Sequence, residues 1–231
     1  MQRMRGKIIR HRLRFLVGVL VTAIVLAVLL QAEIPVVSVI CAALLGLLTV
    51  GFAVSSLVAY TACRPAVFLI REGTFETPPT VATVLSSSMF TVLAVQPWAW
   101  AADNAHRGFG YDQPQIAVAV FMSFLLPVQW YSALGRFGLV LRPDGILDRQ
   151  PLGSIFVPWE AGPAAHPTRL GIKLRLTRPD MLVRRGLRPG TNIATGADPD
   201  FTTWAINLYA ARPDHRPTIG THDGLRIFGD R

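Results

Sequence analysis

The side chains that could catalyse a reaction or hold a metal are few in this chain and widely spaced. Cys41 and Cys63 lie in or beside an apolar run, and two cysteines are too few for a disulfide framework or a metal cage. No two of the five histidines recur three or four residues apart, as one helix face would need to hold a metal ion; they are His11, His106, His166, His215 and His222. We therefore expect no catalytic residue, no metal and no cofactor, and we predict that the protein is not an enzyme.

Glycine and serine patterns give no stronger indication of an active site. Gly108 and Gly110 are not preceded by a strand, as a phosphate-binding loop would be, and no Gly-x-Ser-x-Gly pattern occurs. Ser86, Ser87 and Ser88 lie inside an apolar run, where small hydroxyl side chains permit close helix packing and bond to neighbouring backbone. Packing is the interpretation that we favour for them, with a functional role as the alternative.

Basic residues form the one candidate interaction site. Lys173 and Arg175 alternate on the polar face of a predicted strand, and Arg184, Arg185 and Arg188 follow its predicted partner strand. Near an anionic membrane leaflet each positive charge contributes about 1 kcal/mol of attraction. These residues are therefore candidates for contact with acidic lipid or with an acidic partner. The alternative is a solvated face that protects a sheet edge from aggregation. Nucleic acid is not expected, because no stacking aromatic residues accompany the charge.

The elements that must position these residues begin with membrane spans. Of the 231 residues, 51% are hydrophobic and only 16% are charged, and the mean hydropathy is +0.40. A bilayer core about 30 Å thick needs roughly 20 apolar residues of helix. Four runs meet this requirement: Phe15 to Ala32, Val36 to Ala62, Thr80 to Ala102 and Ile116 to Leu134. A signal peptide is the competing interpretation of the first run, but Leu30 is a poor residue before a cleavage site after Ala32.

The charges between and beyond these runs predict their orientation. Six positive residues precede the first run, whereas the first and third loops each have a net charge of −1. The chain from Gly135 onward carries fourteen positive and nine negative residues. By the positive-inside rule, both termini of this multi-pass protein are expected in the cytoplasm, at the inner membrane. None of the four runs contains Asp, Glu, Lys, Arg or His, which disfavours an ion-coupled transporter.

The last part of the chain has the pattern of a small α+β domain. Residues 138–142 and 146–149 flank a Pro-Asp-Gly turn, 154–159 give a third strand, and 170–177 alternate strictly between apolar and polar positions. Residues 181–185 are predicted as another strand of the same sheet, and 191–194 as a short last one. Asp198 is a suitable helix N-cap, and an apolar stripe follows; its members are Phe201, Trp204, Ala205, Leu208 and Ala211. Trp159 and Trp204 are expected in the core.

These residues carry a resemblance to a known family. The hairpin at 139–149, the segment Val157 to Glu160 and the run from Asp198 to Thr221 resemble bacterial PH-like domains, in particular those of small membrane-anchored proteins. The resemblance implies an antiparallel barrel or sandwich capped by a C-terminal helix, with no catalytic activity and no cofactor.

Together these observations predict a membrane bundle of four transmembrane helices plus a small α+β PH-like domain. The expected divisions are a basic cytoplasmic segment at 1–14, the transmembrane region at 15–134 and the PH-like domain at 135–231. The expected function is that of a membrane-anchored scaffold or accessory subunit that binds a protein partner or self-associates. The alternatives are a sensor of anionic lipid surfaces and a small transporter or channel component.

Overall fold

The computed structural model describes residues 9, 11–31, 34–61, 64–106, 113–169, 171–187 and 190–229. The chain divides into two compact units, and each is built from two separate stretches of sequence. The helical unit comprises residues 1–59 and 80–135, and the β unit comprises residues 60–79 and 136–231.

Four long apolar helices make up the helical unit: α1 (Arg12–Leu30), α2 (Pro35–Thr61), α3 (Val81–His106) and α4 (Gln113–Leu134). All four are long and apolar enough to cross a membrane, which confirms that the predicted runs form such helices. Helix α1 begins at Arg12, inside the segment predicted as a separate basic N-terminus. The Arg12 guanidinium donates to the carbonyl oxygens of Ala133 (2.9 Å) and Gly135 (3.2 Å), at the carboxyl end of α4. One residue of the basic segment therefore satisfies carbonyls that a helix end leaves without partners.

Hydroxyl and indole groups join the helices to one another. Ser87 donates to the Gln129 carbonyl on α4 at 2.9 Å, and Trp130 donates through its indole nitrogen to the Thr91 hydroxyl at 2.9 Å. Ser88 bonds to the Val84 carbonyl one turn back in α3. The predicted packing role of the serine run is confirmed by these contacts.

The β unit contains a six-stranded antiparallel sheet in which the first two strands come from the connection between α2 and α3. These are β1 (Leu69–Arg71) and β2 (Thr74–Glu76), followed in chain order by β3 (Gly138–Arg142), β4 (Gly145–Gln150) and β5 (Gly153–Pro158). Strand β2 pairs with β3 through Phe75 opposite Leu141 and Glu76 opposite Val140. The domain predicted at 135–231 therefore gains residues 60–79, which the sequence analysis assigned to the transmembrane region.

A second sheet of three strands holds β6 (Pro163–Thr168), β7 (Gly171–Leu176) and β9 (Asn192–Ala194). Helix α5 (Pro199–Ala211) follows, and the Asp198 side chain accepts from the Phe201 N–H at 2.9 Å, which confirms the predicted N-cap. On α5, the Asn207 amide covers the open edge of β6. It accepts from the Ala165 N–H at 2.8 Å and donates to the Ala165 carbonyl at 3.1 Å.

The core of the β unit lies between the sheets and α5. Phe68 and Phe75 come from the α2–α3 connection, and their rings pack against Phe201 of α5 and Phe228 of α6 (His222–Gly229). Trp159 is buried as predicted, whereas Trp204 is only half-buried at the edge of this cluster. Without residues 60–79 the core would lose two aromatic side chains, and β3 would lose β2, one of its two partner strands.

Two details of the prediction are wrong. Residues 181–185 were expected beside 170–177, but β8 (Val183–Gly186) pairs with β5 at the end of the six-stranded sheet. A short 3-10 turn at Pro179–Met181 carries the chain from one sheet to the other. The helix stripe is also rotated, because Ile206 and Tyr209 are buried while Leu208 is half-buried and Ala211 is exposed.

Candidate interaction site

The predicted basic residues do not form one face. Lys173 and Arg175 point away from the core on β7, where Ile172 and Leu174 point inward, as their alternation predicted. Lys173 lies opposite His166 on β6 and Asn192 on β9. These two cations therefore lie on the solvent side of the three-stranded sheet.

Arg184 and Arg185 lie on the other sheet, in the strand β8. All four residues of β8 are exposed, and in the described part of the chain β8 is an edge strand that pairs only with β5. Arg188 lies outside the described residues. The sequence pattern therefore predicted the exposure of Arg184 and Arg185 but placed them in the wrong sheet.

Two close backbone approaches place β8 beside β5. Gly186 has a φ of +75°, and a Cβ at this position would lie 2.5 Å from the Leu152 carbonyl oxygen. Gly153 faces Gly186 across the pair, and a Cβ there would lie 2.3 Å from the Arg185 carbonyl oxygen. Because only glycine fits both positions, this end of the sheet is closed by a tight glycine pair.

On the solvent face of the six-stranded sheet, register aligns Arg149, Ser154 and Arg185 in one row. Arg149 lies opposite Ser154 in the β4–β5 pair, and Ser154 lies opposite Arg185 in the β5–β8 pair. At a strand spacing of about 4.8 Å, the Cα atoms of the two arginines are about 10 Å apart, and Ser154 lies on the strand between them. Among the described residues, neither arginine forms an ion pair with a carboxylate.

The next row on the same face is apolar. Leu147 lies opposite Phe156, and Phe156 lies opposite Val183. The two rows line a concave site of about 690 Å³, a size common among ligand sites.

Arg142 closes the far end of this concave site. Its Nε lies 3.0 Å from Asp144 Oδ1, and its guanidinium carbon lies 5.9 Å from the centre of the Phe156 ring. The lining thus contains three arginines and one aspartate, which gives the site a net positive charge.

Sequence reasoning missed Arg142, Arg149, Ser154 and Phe156 as site residues. The sequence carries no clear signal for them, because Ile146-Leu147-Asp148-Arg149 and Ser154-Ile155-Phe156-Val157 do not alternate between apolar and polar residues. The sequence also does not show that Arg185 lies beside these residues.

The groups on this face can bind a ligand. The face presents guanidinium groups, one hydroxyl and apolar side chains, which suit a ligand with both acidic and apolar parts. In the part of the chain that the structure describes, no three His, Cys, Asp or Glu residues come together as a metal site requires.

Comparison with known proteins adds no further assignment. No protein-family model, no curated protein and no solved structure matches this chain.

Proposed function

We propose that this chain is a membrane-anchored scaffold or accessory subunit whose β unit, a PH-like domain, binds a protein partner at the cytoplasmic surface of the inner membrane. The observation that carries the proposal is the shared construction of the β unit. Its six-stranded sheet combines the connection between α2 and α3 with the chain that follows α4. A domain of this kind is not a tethered appendage, because membrane segments interrupt its own sequence.

The same construction supports the proposed topology. Residues 60–79 and 136–231 belong to one folded unit, so both stretches must lie on one side of the membrane. Helices α3 and α4 lie between them in sequence and therefore form an out-and-back pair. This agrees with the charge pattern, in which the basic C-terminal part is cytoplasmic.

The concave basic and apolar face supports binding as the activity of the β unit. Arg149 and Arg185 are presented to solvent without carboxylate partners among the described residues. An open edge strand and exposed apolar side chains lie beside them; Leu187, for example, is 80% exposed. Surfaces that combine arginine, aromatic rings and an apolar centre are typical of protein interfaces.

The test is site-specific photo-crosslinking of the full-length protein in cells. A photoreactive residue at Leu187 reports on the face beside β8, and one at Lys173 reports on the other sheet as the control. We expect Leu187 to crosslink one foreign protein in a fixed ratio to the scaffold, and Lys173 to give much less of the same product. Crosslinks at both positions only to lipid or to other copies of the chain would contradict the scaffold proposal.

The second candidate, a sensor of anionic lipid, is favoured by the exposed Lys173 and Arg175 on the three-stranded sheet. Replacing both with Gln in the full-length protein should then weaken its attraction to a second, anionic vesicle. If vesicle docking is unchanged by these replacements, the lipid-sensor proposal fails.

A further inference from the structure

The open edge of β8 has a backbone pattern that fits an added strand. The Leu187 N–H donates to the Leu152 carbonyl at 2.8 Å, toward β5. In an antiparallel pair the bonding direction alternates along the strand, so the N–H and C=O of Arg184 face away from β5. No described strand pairs on that side. At Arg184, β8 therefore offers both a donor and an acceptor to a new neighbour.

The side chains along this edge define what such a neighbour would carry. Arg185 lies on the solvent face of the sheet and Arg184 on its other face. Each of the two residues paired with them on an added strand would therefore meet one guanidinium group. Val183 ends the apolar row of Leu147 and Phe156, so an apolar residue opposite it would extend that row. The edge thus selects two acidic residues and one apolar residue in consecutive positions.

Two other occupants of the edge are excluded, one by charge and one by sequence. A second copy of β8 paired antiparallel about Arg184 would place arginine against arginine, and like charges directly opposite each other destabilise a sheet. The chain itself offers no matching segment, because no two acidic residues are adjacent anywhere in its sequence. The occupant must then come from another protein.

We propose that the β8 edge binds an extended acidic segment of a partner protein as an added antiparallel strand. Read from its amino end, the segment has the order acidic, acidic, apolar, opposite Arg185, Arg184 and Val183 respectively. The direction follows the sheet, in which every described strand pair is antiparallel. This inference rests on the proposed function, since it names the kind of protein segment that the scaffold binds.

The binding test uses the full-length protein in nanodiscs of neutral phosphatidylcholine. The probe is a fluorescein-labelled peptide, Thr-Thr-Glu-Glu-Val-Thr-Thr, followed by fluorescence anisotropy. We expect saturable binding that weakens about threefold for either Arg184→Gln or Arg185→Gln and about tenfold for both together, as exposed ion pairs would give. The matched control is the double variant Lys173→Gln and Arg175→Gln, which removes the same charge from the other sheet and should leave the affinity within twofold.

Two altered peptides separate strand addition from general charge attraction. N-methylation of the second Glu removes the N–H that would donate to the Arg184 carbonyl and should abolish binding, although the peptide charge is unchanged. The reversed core, Val-Glu-Glu, should bind at least fivefold more weakly if the strand is antiparallel.

Several results would overturn the inference. These are no binding at protein concentrations up to roughly 1 mM, equal losses in the two double variants, or full binding of the N-methylated or reversed peptide. Binding of phosphatidylglycerol vesicles that depends on Arg184 and Arg185, without peptide binding, would assign the edge to lipid and also overturn it. If the peptide fails while Leu187 still crosslinks a foreign protein in cells, the inference falls and the proposed function stands.

Discussion

Arg216 offers a sharp test of how the end of α5 is held. Its Nε donates to the Tyr209 carbonyl at 3.0 Å and its Nη2 to the Ala210 carbonyl at 3.3 Å. These oxygens belong to the last turn of α5, where no intrahelical donor remains. The guanidinium carbon also lies 5.5 Å from the centre of the Trp159 ring, and Nη1 lies 3.7 Å from Glu160.

These contacts give an expected loss of about 2–3 kcal/mol for Arg216→Met. Two partly buried hydrogen bonds from a charged donor contribute about 1.5–2 kcal/mol together, and the cation–π contact about 0.5–1 kcal/mol. The Glu160 pair adds almost nothing, because that carboxylate is 58% exposed and screened by water.

The measurement is backbone hydrogen exchange of residues 199–218 in the detergent-solubilised full-length protein, read by mass spectrometry. The matched control is Arg212→Met, which removes a positive charge at the same helix end from an exposed side chain. We expect it to cost about 0.5 kcal/mol or less, as loss of a dipole interaction alone would. Equal losses for the two variants would refute the argument, because charge alone and not the hydrogen bonds would then stabilise the helix end.

Three further predictions concern the β unit. Burial raises the pKa of Tyr209, with the nearby Thr218 hydroxyl offsetting part of the rise. The folded form therefore favours the neutral phenol. In thermal melts we expect the full stability of the protein below about pH 10 and a loss of stability above it. Tyr209→Phe should remove this loss at alkaline pH. Replacing the N-cap Asp198 with Ala should cost about 1 kcal/mol in urea unfolding, and a much smaller cost for Ala than for Gly would contradict the capping argument. A fragment of residues 136–231 alone should aggregate on expression, whereas the same fragment with residues 64–79 fused through a flexible linker should be soluble; equal behaviour of the two would show that the hairpin is dispensable.

The helices and the main strands could be predicted because their patterns are local. Four uninterrupted apolar runs, the alternation in β7 and the Asp198 cap each depend on neighbouring residues only. The β1–β2 hairpin was missed although Phe75 and its neighbours have strand character, because a loop between two membrane spans was not expected to contribute to a later domain.

Sheet membership could not be predicted because it depends on long-range partners. Nothing within 183–186 shows that β8 pairs with β5 rather than with β7. The close backbone approach at the Gly153–Gly186 pair, which only glycine permits, favours the pairing with β5. Which side chains of β4 face solvent could not be predicted either. Asp148 is fully buried and accepts from the Gln150 amide at 2.9 Å, whereas the apolar Leu147 faces solvent, so hydrophobicity alone assigns this strand the wrong way round.

The interrupted construction of the β unit has a consequence for biosynthesis. Residues 69–76 leave the ribosome well before β3, and in the proposed topology α3 and α4 must both insert before β3 can reach them. At a synthesis rate of about 5–20 residues per second, the roughly 110 residues from β2 to the end of β8 take about 5–20 seconds, and the hairpin waits that long for the rest of its sheet. If only one of α3 and α4 inserts, residues 136–231 emerge across the membrane from the hairpin, and neither part can complete its core. In the proposed topology, insertion of only one of the two helices would thus leave Phe75, which the complete β unit buries, exposed to chaperones and proteases.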